Sequence, residues 1–81
     1  MNLQYLRYAV EVARTGSISQ AAENLFMSQP SLSKSIHELE SSLGVQLFKR
    51  TSRGLCPTPE GEDLLLHARS ILSQAEKIET L

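Results

Sequence analysis

Residues 17–43, SISQAAENLFMSQPSLSKSIHELESSL, decide the fold because they encode a short helix, a tight turn and a longer helix. Ser17 is a suitable N-cap, and Gln20 stands three residues later, in the position that completes a capping box. The first helix is therefore predicted over 18–25, followed by a three-residue turn at 26–28. Two consecutive helices joined in this way predict a helix-turn-helix.

The second helix of this pair has clear signals at both ends. Ser28 is a good N-cap, and Pro30 lies in the first turn, where its missing amide hydrogen does no harm. Gly44 is the kind of residue that ends a helix in the left-handed conformation. Between these ends the apolar residues recur every three or four positions, on the face formed by Leu32, Ile36, Leu39 and Leu43.

The two helices must cross at close range, which requires small side chains where they touch. Ala21 and Ala22 supply such side chains on the first helix, and Ile18 and Leu25 share their face. The same pattern is also compatible with a plain three-helix bundle in which these alanines only pack.

The polar face of the second helix distinguishes these two possibilities. Its first turns carry Gln29, Ser31, Ser33, Lys34 and Ser35, with no acidic residue before Glu38. The helix dipole favours acidic residues in a first turn, so their absence indicates that this end faces other anions, such as phosphates. Short hydroxyl side chains allow the backbone to approach a groove, and glutamine can bond adenine bidentately. A serine-rich solvated surface is the alternative.

Further elements flank this pair on both sides. A preceding helix is predicted over 2–14, capped by Asn2, ended by Gly16 and apolar on the face of Leu3, Leu6, Val10 and Ala13. Two short strands, 47–50 and 55–58, follow around a polar turn. Pro57 lacks an amide hydrogen, so its strand must be short or lie at an edge.

The hairpin contains the densest positive charge of the chain, in Lys49, Arg50 and Arg53. An arginine beside a glycine at a hairpin tip can enter a minor groove, where the potential is negative. Lys49, Arg50 and Thr51 are better suited to phosphate contacts. A basic hairpin alone is usually only solvated, but one that follows a helix-turn-helix directly indicates the wing of a winged helix.

A last helix is predicted from Pro59, with Thr58 as N-cap, to the end of the chain. Its apolar residues alternate spacings of four and three, a heptad pattern that predicts helix pairing between two chains through Leu64, Ala68, Ile71, Ala75 and Ile78. The alternative is packing onto the chain's own body, for which Leu65, Leu66 and Leu72 are suited. We expect both, with the first turns docked inward; spacing alone leaves the direction of pairing open.

Composition sets the broad class. The chain has 81 residues, 41% of them hydrophobic, and a net charge of −1, so one folded domain is expected. Charge is uneven, with +2 over residues 28–58 and −3 over 59–81, and DNA binding requires only a local positive field. A single cysteine, Cys56, fits a reducing compartment, and we expect a cytoplasmic protein without membrane contact.

Two other classes of function are weighed against DNA binding. For an enzyme, the available groups are Cys56, His37 and His67, and no acid–base pair, phosphate loop or metal-ligand spacing links them. We therefore expect no catalysis, cofactor or metal. A protein-interaction module using only the last helix would need neither a basic wing nor an acid-free helix start.

The whole chain resembles the N-terminal domain of LysR-type transcriptional regulators. The resemblance rests on ungapped blocks in the family's order: 3–8 (LQYLRY), 16–25 (GSISQAAENL), 28–36 (SQPSLSKSI), 39–40 (LE), 43–50 (LGVQLFKR) and 58–61 (TPEG). It implies a mainly α winged helix-turn-helix over 1–58, made of three helices and a two-stranded wing, and a linker helix over 59–81 for dimerisation. It also implies sequence-specific binding of double-stranded operator DNA by an antiparallel homodimer that regulates transcription.

The family's DNA contacts can be transferred residue by residue. The resemblance implies major-groove contacts by Gln29, Pro30, Ser33 and Lys34, a wing contact by Arg53, and backbone contacts by Ser19, Ser28, Arg50 and Thr51. Two positions depart from the pattern. Ser31 stands where alanine is common and adds a hydroxyl that either touches DNA or changes nothing. Lys34 replaces a frequent arginine and offers a point charge rather than a bidentate fork.

The resemblance further implies a part that this sequence does not contain. Family members carry an effector-binding domain after the long helix, whereas the sequence ends at Leu81. We therefore expect a DNA-binding fragment, with the small-molecule effector bound by the absent domain and a higher oligomer formed by the full-length protein.

Overall fold

The computed structural model describes residues 2–81 and contains four helices and one hairpin. In chain order these are α1 (Leu3–Thr15), α2 (Ile18–Asn24), α3 (Gln29–Leu43), β1 (Phe48–Thr51), β2 (Gly54–Pro57) and α4 (Pro59–Glu79). Every predicted element is present, so the mainly α winged helix-turn-helix with a long last helix is confirmed. The strand bounds differ from the prediction by one residue, and α4 ends at Glu79 rather than at the end of the chain.

Local capping explains where the helices begin. The side chain of each N-cap residue accepts a hydrogen bond from a backbone amide in the first turn, as predicted for Asn2, Ser17, Ser28 and Thr58. The expected reciprocal bond, from the Ser17 amide to the Gln20 side chain, is not formed: the Ser17 amide donates to Thr15 Oγ1 at 3.3 Å, and the Gln20 side chain is directed at Asn24. Gly16 and Gly44 end α1 and α3 in the left-handed conformation.

The buried face of α1 differs from the prediction. Leu6, Ala9 and Val12 are buried, whereas Leu3 is 46% exposed. Helix α1 packs against α2, α3, β2 and α4, so its contact surface is wide and is centred on Ala9. Val10 and Ala13 lie at the margin of that surface and are only half-buried.

The α2–α3 pair packs as predicted at its crossing and less fully at its end. Ala21 and Ala22 are buried, and so are Leu32, Ile36 and Leu39 on α3. Leu43 was expected on the same face, but it is 42% exposed. The residues at 41–46 are all exposed, so the last turn of α3 extends beyond the elements that cover its middle.

The hairpin is attached to the helical body at both of its ends. Its strands pair antiparallel, with Phe48 opposite Pro57 and a two-residue loop at the tip. Beyond the strands, Leu47 is buried and its carbonyl accepts a hydrogen bond from the Thr58 amide at 2.9 Å. The Leu55 amide donates to the Gly16 carbonyl at 3.0 Å, which attaches the second strand to the turn before α2.

Helix α4 lies on the body through its first half. Gly61, Leu65 and Ala68 are buried, and a methyl group on Gly61 would overlap the carbonyl oxygen of Leu47. This glycine permits the close approach of α4 to the chain before β1. Leu66 was expected to pack inward, but it is 66% exposed because it lies on a different face from Leu65. Within residues 2–81, no helix is long and apolar enough to cross a membrane.

Candidate nucleic-acid interface

The N-terminal half of α3 presents its polar face outward. Gln29, Pro30, Ser31 and Lys34 are exposed, and Ser33 is half-buried. The opposite face carries the buried Leu32 and Ile36, which hold the helix on the body. No acidic residue occupies the first turn of α3. The exposed groups can therefore donate and accept hydrogen bonds toward a partner without an acidic side chain among them.

Several hydroxyls at the predicted interface are also used within the chain. Ser28 Oγ accepts from the Ser31 amide at 3.2 Å and donates to Ser31 Oγ at 2.8 Å. Ser19 Oγ lies 3.1 Å from the hydroxyl of Ser17, the N-cap of α2. Each of these serines is therefore positioned by a helix cap, and each remains close to the surface.

The wing tip combines positive charge with an ordered turn. Lys49, Arg50 and Arg53 are exposed, and so is Thr51. Thr51 Oγ1 donates to the Gly54 carbonyl at 3.0 Å and accepts from the Arg53 amide at 3.2 Å. These two bonds close the loop, so Thr51 shapes the backbone from which the Arg53 side chain extends.

A groove between α3 and the wing brings the two predicted contact regions together. Ser33 and His37 line it from α3, Arg50 lines it from β1, and Ile18 lines it from the start of α2. One predicted major-groove residue, Ser33, and one predicted phosphate-binding residue, Arg50, thus border the same concave surface. Sequence reasoning did not include His37 in the site, although its spacing of four from Ser33 was visible.

The predicted pairing stripe on α4 is divided between the body and the surface. Ala68 is buried within the chain itself, and Leu64 and Ala75 are half-buried. Ile71 is 39% exposed and Ile78 is 69% exposed. Leu64, Ile71 and Ile78 are spaced by seven residues and form an apolar line, here named the α4 seam, beside the face that docks on the body.

Comparison with known proteins assigns the family. The family model described as "Bacterial regulatory helix-turn-helix protein, lysR family" matches residues 3–62, which is most of the chain. The chain belongs to the LysR family. The match includes α1, the helix-turn-helix, the wing and the first residues of α4, the parts whose geometry is described above.

Individual LysR-family relatives resemble the chain over almost its whole length. The nitrogen assimilation regulatory protein nac of Klebsiella aerogenes is 47% identical over 77 residues, covering 95% of this chain and 25% of that protein. The transcriptional regulator BenM of Acinetobacter baylyi is 41% identical over 78 residues, covering 96% of this chain and 26% of BenM. The chain therefore spans about a quarter of the length of these relatives.

Solved structures of LysR-family proteins share the fold closely. The BenM DBD in a complex with catB site 1 DNA is 40% identical to this chain, with a TM-score of 0.94. The match covers 99% of this chain and 90% of the BenM chain. CbnR, a LysR family transcriptional regulator, is 36% identical with a TM-score of 0.93, and the match covers 99% of this chain and 28% of CbnR.

A polar network in this LysR-family domain sets the position of α2 against α1. Arg14 Nε donates to Glu11 Oε1 at 2.9 Å, and the Asn24 side chain donates to Glu11 Oε2 at 2.8 Å. The hydrogen bonds from Arg14, followed by that from Asn24, lower the pKa of Glu11 to about 2. Sequence reasoning missed this network, because only the spacing of three between Glu11 and Arg14 indicated a pair.

A second link joins α1 to α3. Tyr5 donates its phenol proton to Glu38 Oε2 at 2.6 Å, and the ring of Tyr5 stacks on that of Tyr8 with centroids 6.0 Å apart. The hydrogen bond to Glu38 raises the pKa of Tyr5 above its usual value. Glu38 is the first acidic residue of α3, so this carboxylate is directed toward α1.

Proposed function

We propose that this chain binds double-stranded DNA in a sequence-specific manner, with α3 in the major groove and the wing in the minor groove. The observation that carries the proposal is the exposed, acid-free N-terminal face of α3 beside a basic wing. LysR-family relatives solved as DNA complexes at 36–40% identity support it. The shared fold and the exposed residues together favour docking with α3 in the major groove and the wing in the minor groove.

The proposed roles of the side chains follow from exposure and chemistry. Gln29 and Lys34 have long exposed side chains suited to base edges, whereas Pro30, Ser31 and Ser33 offer close backbone approach. Arg53 extends from the wing loop toward the minor groove. Phosphate contacts that position the domain are proposed for Ser19, Ser28, Arg50 and Thr51. The Ser28 hydroxyl also caps α3, and the Thr51 hydroxyl also closes the wing loop. Substitution of either residue therefore changes the local backbone as well as the DNA contact.

We further propose that two chains pair antiparallel through α4. The α4 seam of Leu64, Ile71 and Ile78 provides the apolar contact, with Ala75 at its margin. Ala68 was expected in the same contact, but its burial in the chain's own body assigns it an intrachain role in the proposed arrangement. A symmetric dimer of this kind fits an inverted repeat in the DNA.

The proposed whole protein is a non-enzymatic regulator of transcription. BenM, an HTH-type transcriptional regulator about four times as long as this chain, supports a further domain beyond this sequence, to which we assign effector binding and a role in a higher oligomer. In this proposal residues 1–58 bind DNA, residues 59–81 pair the chains, and a small-molecule effector binds outside this sequence.

Selection of DNA sites from a random library tests this function directly. The purified chain should enrich an inverted repeat, and fluorescence anisotropy on the enriched site should give binding that weakens steeply with salt. Recovery of unenriched sequences with equal affinity would refute sequence specificity. A protein-interaction module without DNA function would show no binding even at low salt.

A further inference from the structure

His37 lies on the outer face of α3, one helical turn beyond Ser33. Residues four apart are neighbours on a helix surface, so His37 continues the face that carries the proposed base contacts. Its side chain is 81% exposed. It borders the groove between α3 and the wing, and the Arg50 side chain borders the same groove from β1. This position lies outside the family contacts transferred above.

The Glu40 carboxylate lies beside the His37 ring and is fixed by its own contacts. Glu40 Oε2 accepts a hydrogen bond from the backbone amide of Leu47 at 2.7 Å. The Glu40 side chain is only 16% exposed, so its carboxylate is held in one position. Its Oε1 lies 3.6 Å from His37 Nδ1. A histidine with Nδ1 directed at a carboxylate has Nε2 on the other side of the ring, where it can donate to another acceptor.

We propose that His37 in its charged form binds a DNA phosphate through Nε2–H, with Glu40 as its positioning residue. The inference rests on the proposed DNA binding by α3. The charged groups that face His37 are Glu40 on α3 and Arg50 on β1; α2 contributes Ile18, and Gln46 lies before β1. An anion in the groove would meet Arg50 and charged His37 as donors, while the Glu40 carboxylate is held by the Leu47 amide and directed at Nδ1 of His37.

The proposal makes DNA affinity depend on pH. An imidazole is cationic only when both of its ring nitrogens carry a proton, so the proposed phosphate contact is stronger at lower pH. Each neutralised phosphate steepens the dependence of log affinity on log salt by about 0.9. The affinity itself should rise by about two- to fivefold per chain, the range of an exposed ion pair.

The experiment compares wild type, His37→Gln and His67→Gln on a DNA site selected by the wild-type chain. Anisotropy titrations across a salt series at about pH 6 and pH 8 give the slope and the affinity. For wild type and His67→Gln, the plot of log affinity against log salt should be steeper at the lower pH, by up to about 0.9 per bound chain. His37→Gln should bind at both pH values with equal slopes. Retention of the full pH difference by His37→Gln would overturn the proposal.

A second variant tests the positioning role of Glu40. Glu40→Gln keeps a side-chain oxygen for the Leu47 amide but removes the negative charge beside His37. The difference in salt slope between the two pH values should therefore shrink, because His37 loses the carboxylate that positions its ring. An unchanged pH profile would refute the role of Glu40. Failure of the wild-type chain to bind DNA at either pH would overturn the proposed function itself, together with this inference.

Discussion

The backbone amide of Leu55 in the wing donates a 3.0 Å hydrogen bond to the carbonyl of Gly16, between α1 and α2. The contact is close, because a methyl group on Gly54 would lie 2.5 Å from that carbonyl oxygen. Gly54 also has a φ of 107°, which disfavours any other residue there. The wing therefore has a defined position relative to the helix-turn-helix, and its tip and α3 can contact one DNA duplex together.

Arg53→Ala should weaken binding to a selected DNA site by about 1–3 kcal/mol without affecting the fold. The side chain is exposed at the wing tip, so its removal leaves no cavity. Anisotropy titrations measure the affinity, and thermal unfolding checks the fold. The matched control is Arg69→Ala, which removes an exposed arginine from α4 and should leave the affinity nearly unchanged. Equal affinities for both variants would refute a wing contact.

Lys34→Ala should also weaken DNA binding, by roughly 1–3 kcal/mol, because it removes a cation from the exposed face of α3. If Lys34 contacts a base, the loss is larger for the selected site than for unrelated DNA. If it contacts phosphate, the loss is uniform and the salt slope falls by about 1. Lys77→Ala, at the end of α4, is the control. Unaltered binding to both kinds of DNA would exclude Lys34 from the interface.

Gly61→Ala should destabilise the fold even though alanine favours an α-helix over glycine by about 1 kcal/mol. The added methyl group overlaps the carbonyl of Leu47, so α4 must move away from the buried segment before β1. Overpacking of this kind costs about 1–3 kcal/mol. Thermal unfolding should show a melting temperature lowered by several degrees, whereas Ser70→Ala, at an exposed α4 position, should not lower it. A more stable Gly61→Ala chain would contradict the packing described here.

Ile71→Asp should yield monomers, because it places a charge in the middle of the α4 seam. Sedimentation equilibrium measures the mass in solution. Leu66→Asp is the matched control, since Leu66 is also exposed on α4 but points away from the seam. It should leave the association unchanged. Dimers of Ile71→Asp, or monomers of Leu66→Asp, would place the pairing surface elsewhere.

The stability of the chain should depend on the charge of Glu11. Its pKa is about 2 in the folded chain against an ordinary value of 4.5. Because this pKa is lowered in the folded chain, ionised Glu11 contributes its full stabilisation above about pH 4.5. The contribution is lost as the pH falls toward 2 and the carboxylate becomes protonated. The difference in urea midpoint between wild type and Glu11→Gln should therefore shrink over this range. In an Arg14→Ala background the pH dependence should be weaker, and an unchanged dependence would exclude the Arg14 contact as its main cause.

Features decided by neighbouring residues were predictable from the sequence. The four N-caps, the glycine ends of α1 and α3, and the hairpin follow from signals within a few residues, and they agree with the structure. The exposed start of α3 was predictable as well, since its polar residues occupy one helical face. Capping energies are local, so they do not depend on how the helices pack.

Features decided by distant segments were not predictable in the same way. The spacing of Leu3, Leu6 and Val10 indicated one face of α1, but several elements cover the neighbouring face around Ala9. The close contact of Gly61 with Leu47 joins two different segments of the chain, and no local sequence pattern indicates it. The groove that unites His37 with Arg50 depends on the position of the wing, which no local pattern specifies.

Because α4 is rigidly attached to the body, the pairing of two α4 helices fixes the distance between the two α3 helices of the proposed dimer. Because Gly61, Leu65 and Ala68 fix the helix to the body, sliding the two seams by one heptad would shift the α3 helices by about 10 Å along α4. That distance corresponds to about three base pairs of duplex at 3.4 Å each. The register of the seam thus determines which spacing of half-sites the protein can span.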